Sequence, residues 1–144
     1  CKTLLYSMLN RNSLGMEYGP LTVDTNALRL PNDMHLKYPQ LTYQGGQFMY
    51  FSGKNTIRTH GPRVTENVIQ ALARIVISEQ MLNIQALPEV TVVLQIHDEV
   101  VSIGSDIQPD ETMGKIIDIM KTPPLWCPDL PLDAEGGYSL SYDK

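Results

Sequence analysis

Leu94-Gln95-Ile96-His97-Asp98-Glu99-Val100 is the stretch on which the reading of the chain turns. It follows the β-branched run Val90-Thr91-Val92-Val93 and leads into Val100-Val101-Ser102-Ile103, closed by Gly104. Two apolar runs this short, separated by polar residues, predict two strands joined by a tight turn with His97, Asp98 and Glu99 at its tip. Within a continuous strand His97 and Glu99 would point one way and Asp98 the other, so the turn must re-aim them. Two acids and an imidazole at the end of an apolar hairpin call for charge compensation. A hard divalent cation such as Mg²⁺ supplies it through carboxylate oxygens. The same residues also suit a plain solvated turn, with Asp98 as the turn former and Glu99 as its flank.

Upstream, Glu66 to Asn83 has helical periodicity, with Thr65 as N-cap and Glu66 at the positive end. Val68, Ile69, Leu72, Ile75, Val76 and Leu82 form its expected apolar face. Asn67, Gln70, Arg74 and Ser78 share the other side. Amides and a guanidinium can bond to base edges, sugars or phosphates, or simply face water. Downstream, Asp110 to Lys121 predicts a second amphipathic helix, started by Pro109 and stopped by Pro123-Pro124.

Toward the N-terminus, Leu4, Leu5, Met8 and Leu9 give residues 2–14 a helical pattern that ends near Asn10-Arg11-Asn12. Gly15 and Gly19-Pro20 mark a loop. Residues 28–52 predict two short hairpins, one turning at Pro31-Asn32-Asp33 and one at Gly45-Gly46. Tyr38, Tyr43, Phe48, Tyr50 and Phe51 are expected to pack rather than to stack on bases. Residues 53–63 are polar and basic and read as a mobile loop. The tail from Leu125 is rich in loop formers, with an edge strand expected within Leu132 to Tyr142 and with Asp133 and Glu135 as acids in reach of a metal.

The chain has 144 residues, enough for one domain with a real core, and a formal net charge of −5. That charge argues mildly against nucleic acid, but it is unevenly spread. Lys54, Arg58, Arg63 and Arg74 occupy a stretch in which Glu66 is the only acid, whereas acids gather near Asp98 and toward the C-terminus. A basic segment beside an acidic tip suits a phosphate substrate held next to a metal, or an ordinary surface. No apolar run nears the ~20 residues of a membrane span, so no membrane partner is expected. No signal-peptide pattern is visible, and Cys1 and Cys127 make neither a metal spacing nor a disulfide framework. A cytoplasmic location is therefore expected. A chain that begins with Cys1 rather than Met is expected to be a processed product or a fragment, and a cysteine at a cut site is also what protein splicing leaves on a C-terminal flanking segment. Phosphate-cradling, dinucleotide, nucleophile-elbow and HExxH motifs are missing.

Three blocks together resemble the C-terminal part of a family A, polymerase I-like DNA polymerase of the phage type. The first is Leu30-Pro31-Asn32 with Leu36-Lys37-Tyr38-Pro39. The second is Thr65-Glu66-Asn67-Val68-Ile69-Gln70-Ala71-Leu72-Ala73-Arg74. The third is the Leu94–Val100 stretch, similar to that family's motif C. Ala134-Glu135-Gly136-Gly137-Tyr138 is a weaker fourth, so the resemblance covers roughly residues 26–142.

The resemblance implies template-directed DNA synthesis by nucleotidyl transfer. Asp98 would be one of two palm aspartates holding catalytic Mg²⁺, with Glu99 supporting it and His97 near the primer terminus. Gln70, and with it Asn67, Arg74 and Arg63, would contact nucleic acid. Primer/template DNA and a deoxynucleoside triphosphate would be the partners. Ile75 stands where relatives often have Asp. The family's other metal-binding Asp and its fingers helix are missing from these residues, and one carboxylate position cannot hold two metal ions against a triphosphate. An N-terminal polymerase fragment carrying them is therefore an expected partner, and the chain alone is expected to be inactive. A non-catalytic nucleic-acid-binding or assembly module is the alternative, and a metal-dependent phosphohydrolase using His97, Asp98 and His60 a more distant one. The expected fold class is α+β, with antiparallel β hairpins packed on a long helix in a palm-like arrangement. The expected subdivision is 1–63 for the first helix, hairpins and basic loop, and 64–144 for the rest.

Overall fold

The computed structural model describes residues 2–142, so the cut-site reading of Cys1 lies outside the described residues. The fold is α+β, and every strand pairing is antiparallel. Two compact units divide between Ala73 and Arg74. The division falls inside the long helix, whose N-terminal half belongs to the first unit and whose C-terminal half belongs to the second.

The first unit opens with α1 (Lys2–Leu9), which buries Leu4, Leu5 and Met8. It ends at Leu9, beside the expected stop at Asn10-Arg11-Asn12. The Asn10 side chain accepts the Asn12 N–H and starts a short 3-10 turn, Arg11–Ser13. A four-stranded meander follows: β1 (Glu17–Tyr18), β2 (Leu21–Asp24), β3 (Ala27–Arg29) and β4 (His35–Lys37). The stretch of β1, between Gly15 and Gly19, was expected as loop, and no element was expected at β2. β1 is too short to show a period, while in β2 the buried Leu21 and Val23 alternate with half-buried Thr22 and Asp24. Gly19-Pro20 is the turn between them, with Gly19 at φ +58°, where a side chain would be strained. Leu5, Val23 and Leu28 are wholly buried and mark the core of this unit.

A second sheet comprises β5 (Thr42–Gln44), β6 (Gln47–Phe51) and β7 (Thr56–Thr59). Gly45 and Gly46 both have positive φ, as the tight β5–β6 turn requires. β7 corrects the expected mobile loop at 53–63. Thr56-Ile57-Arg58-Thr59 alternates and is β-branched, and it pairs with Phe51 to Phe48 in register. Its basic residue lies on the outer face, so charge concealed a strand. The aromatics do pack: Phe48 is buried, with the Tyr6 and Tyr43 ring centroids at 4.9 and 4.6 Å.

Helix α2 (Gly61–Gln85) begins five residues before the expected Glu66 and runs past Asn83. Thr65 is not its cap; its hydroxyl donates back to the Gly61 carbonyl at 3.1 Å. His60 takes that role. Its carbonyl accepts the Val64 N–H at 3.1 Å and its Nδ1 the Arg63 N–H at 3.3 Å. Pro62 is tolerated because a first-turn N–H has no helical partner anyway. The apolar face is also rotated from expectation. Val64, Val68, Ile75, Ile77 and Ile84 are buried, whereas Ile69 and Leu82 are 61% and 71% exposed. Ile69 lies about 100° round the helix from Val68, enough to leave the core.

The second unit adds β8 (Thr91–Ile96), β9 (Glu99–Ile103) and α3 (Pro109–Lys121) to the C-terminal half of α2. The Gln85 side chain joins α2 to the hairpin, accepting from the Val92 N–H at 2.9 Å and donating to the Val90 carbonyl at 3.3 Å. Gln80 Nε2 donates to the Met120 carbonyl at 2.8 Å, tying α2 to α3. Asp110 and Glu111 in the first turn of α3 and Lys121 in the last complement its dipole. The expected edge strand within Leu132 to Tyr142 does not form. Asp133-Ala134-Glu135-Gly136-Gly137 is poor in strand formers, and side-chain bonds hold this segment instead.

Candidate functional site

β8 and β9 meet in a two-residue turn, His97-Asp98, closed by the Ile96–Glu99 pair. Glu99 is therefore the first residue of β9 rather than part of the tip. His97 has φ +53° and Asp98 does not share the positive value. Glycine is the ordinary occupant of the first position of such a turn, so His97 is strained. The strain turns the chain so that Asp98 stands exposed at the apex. Among the described residues it has no hydrogen-bond or ion-pair partner. A bulge at Val93, between the Val92 and Leu94 pairings, adds twist to β8 below the turn.

The tip is braced from beneath. Arg74 Nη1 on α2 donates to Gln95 Oε1, and Gln95 Nε2 donates to the His97 carbonyl. Gln95 was not singled out by sequence; only its place two residues before a strained turn marks it. Glu99 is half-buried and accepts a bond from the Tyr142 hydroxyl at 3.4 Å. A second tail tyrosine, Tyr138, donates to Asp110 Oδ1 at 2.8 Å, which pushes its own hydroxyl above the usual phenol range. Asp133 is paired with Lys121 at 2.9 Å, and this bond holds its carboxyl below the usual carboxylate range. Glu135 is exposed.

The remaining candidates lie in the first unit, on the N-terminal half of α2. Asn67 Nδ2 donates to the Tyr38 hydroxyl at 3.1 Å. Gln70 is exposed, with Nε2 3.4 Å from Glu66 Oε1, and Arg63 is exposed in the first turn. His60, considered for a phosphohydrolase site, uses its Nδ1 as a helix cap.

Asp98 offers oxygen donors in the open, which fits one ligand position of a hard cation. Among the described residues no three His, Cys, Asp or Glu side chains converge to hold a metal ion. Asp98 alone is a single oxygen-donor group, and a bound cation there would require further ligands. No helix among the described residues is long and apolar enough to cross a membrane. No protein-family model, curated protein or solved structure matches the chain.

Proposed function

We propose that this chain is the C-terminal palm segment of a family A DNA polymerase. In this reading it supplies one metal-binding carboxylate, Asp98, to template-directed DNA synthesis. The observation that carries the proposal is an unpartnered aspartate at the apex of a hairpin whose tip is strained and braced from a helix. Exposed turn acids are common, but a turn held in an unfavourable conformation by a side-chain relay suggests that the direction of the carboxylate matters.

Mg²⁺, when bound, would lower the pKa of the primer hydroxyl and neutralise charge on the triphosphate. Asp98 would hold it together with an aspartate from an N-terminal polymerase fragment. Glu99 would keep the base of the turn in place, and His97 would lie toward the primer end. Gln70 and Arg63 have exposed side chains for primer/template DNA. Asn67 and Arg74 also brace Tyr38 and Gln95, so their contribution to DNA contact would be secondary.

The requirement for a partner has support of its own. β8, β9 and α3 contain no fully buried residue, while Val93, Ile103 and Ile107 are large exposed apolar side chains. A two-stranded sheet covered this thinly is marginal in water, and exposed apolar surface favours association. The deciding assay is primer extension with Mg²⁺. The chain alone should give no product, addition of an N-terminal fragment carrying the second aspartate should restore it, and Asp98→Ala should abolish it. Extension by the chain alone, or by the assembled Asp98→Ala enzyme, would overturn the proposal.

A further inference from the structure

Residues 133–142 form neither helix nor strand, yet they follow a definite course. Asp133 pairs with Lys121, in the last turn of α3, at 2.9 Å. Gly136 lies so near Met113 of the same helix that an added Cβ would stand 3.1 Å from its sulfur. The Tyr138 hydroxyl donates to Asp110, in the first turn of α3, at 2.8 Å. The chain then bends at Leu140-Ser141, where the Ser139 hydroxyl donates to the Ser141 carbonyl. Beyond the bend the Tyr142 hydroxyl donates to Glu99, the first residue of β9, at 3.4 Å. The tail thus runs back along the helix, from its last turn to its first, and goes on to the base of the hairpin turn.

Two lengths agree with this course. From Lys121 to Asp110 a helix rises about 16 Å, at about 1.5 Å per residue. From Asp133 to Tyr138 an extended chain covers about 16 Å, at about 3.3 Å per residue. A tail drawn out nearly straight between its anchors therefore matches the helix it lies on. Gly136, with no side chain, lets the backbone come close to Met113 midway.

The turn is then held at both ends. Arg74 and Gln95 hold the His97 carbonyl from the side of α2. Tyr142 holds Glu99, which pairs with Ile96 to close the turn. Asp98 stands between the two. An exposed hydrogen bond contributes little where both partners are mobile. Here the anchors at Asp133, Gly136 and Tyr138 already fix the chain, so Tyr142 gives up little further entropy in reaching Glu99.

We propose that residues 133–142 are a strap and that Tyr142 is a positioning residue: through Glu99 it keeps the closing pair of the turn formed and so keeps Asp98 in one direction. The use of that direction in nucleotidyl transfer rests on the polymerase reading; the strap itself does not.

The test is amide hydrogen exchange of the full chain, followed by NMR at Glu99, with the Gly15 amide, bonded to the Val23 carbonyl in the first unit, as reference. Tyr142→Phe removes one hydroxyl from an exposed ring and should leave the urea midpoint unmoved. It should speed exchange at Glu99 about threefold and leave Gly15 unchanged. Asp133→Asn combined with Tyr138→Phe keeps Tyr142 but loosens its anchors, and should speed Glu99 in the same way. In the proposed polymerase assembly Tyr142→Phe should lower kcat several-fold with the KM for DNA unchanged. Glu99 exchange unmoved in both variants, or a rise matched at Gly15, would overturn the strap. Faster exchange with unchanged kcat would overturn the positioning role of Tyr142. Faster exchange in a protein whose wild-type assembly extends no primer would count against the polymerase reading and leave the strap standing.

Discussion

Arg74 donates from its guanidinium to the Gln95 side-chain carbonyl, and Gln95 extends the link to the backbone carbonyl of His97. The helix thereby holds the hairpin tip through one amide. Gln95→Ala should remove both bonds and cost about 1 kcal/mol of stability. In the proposed polymerase assembly it should lower kcat far more than it raises the KM for DNA, because the turn loses its direction rather than its surface. Gln95→Glu keeps an acceptor for Arg74 but no donor for His97. It should retain stability and recover only part of the rate. Urea unfolding and steady-state extension measure the two effects.

His97 supplies a direct test of strain. Its φ of +53° is a region that a β-branched side chain avoids and glycine enters freely. His97→Val should destabilise the chain by about 1–2 kcal/mol. His97→Gly should leave stability unchanged or raise it by up to about 1 kcal/mol, while loosening the tip and reducing activity. Equal stability losses for Gly and Val in urea unfolding would show that the imidazole, not the backbone, holds the turn.

Asp98 makes the complementary case. It is exposed and unpartnered among the described residues, so Asp98→Ala should shift folding stability by no more than about 0.5 kcal/mol. Any loss of nucleotide addition would then be a loss of chemistry. A large fall in the urea midpoint would instead assign the carboxylate a structural part.

The hairpin, the long helix and α3 were legible because each carries a period several residues long. The β8–β9 turn could be placed from Val90 to Ile103 alone. What local pattern could not reveal was partnership. β7 was hidden because Arg58 and its polar neighbours read as loop, although pairing with β6 makes them strand. The start of α2 was misplaced because Thr65 is the better cap by residue type, while a histidine ring one residue before Gly61 does the work. Asn67 and Arg74 were picked out as free polar groups on one helix face. Their partners, Tyr38 and Gln95, lie 29 and 21 residues away in sequence, a separation that periodicity cannot bridge.

The Asn67–Tyr38 bond carries a pH dependence. Tyr38 is only 3% exposed, and its ring centroid lies 5.3 Å from that of Tyr50. Burial pushes its hydroxyl above the ordinary phenol value, the Asn67 donor pulls it partly back, and nearby Tyr50 adds a smaller upward push. A phenol whose pKa is raised in the folded state keeps its proton there longer than in the unfolded chain. Its stabilising share is thus fully present below the unfolded value of about 10 and is lost as pH rises through the folded one. Stability in urea should therefore begin to fall as pH rises past the unfolded value of about 10, go on falling through the raised folded value, and fall less steeply in Tyr38→Phe. Asn67→Ala removes the one influence that lowers the value. It should move the Tyr38 titration higher still and, by leaving a buried hydroxyl without this partner, cost about 1–2 kcal/mol at neutral pH. Parallel alkaline profiles for the wild type and Tyr38→Phe would show that Tyr38 ionises no differently in the folded chain.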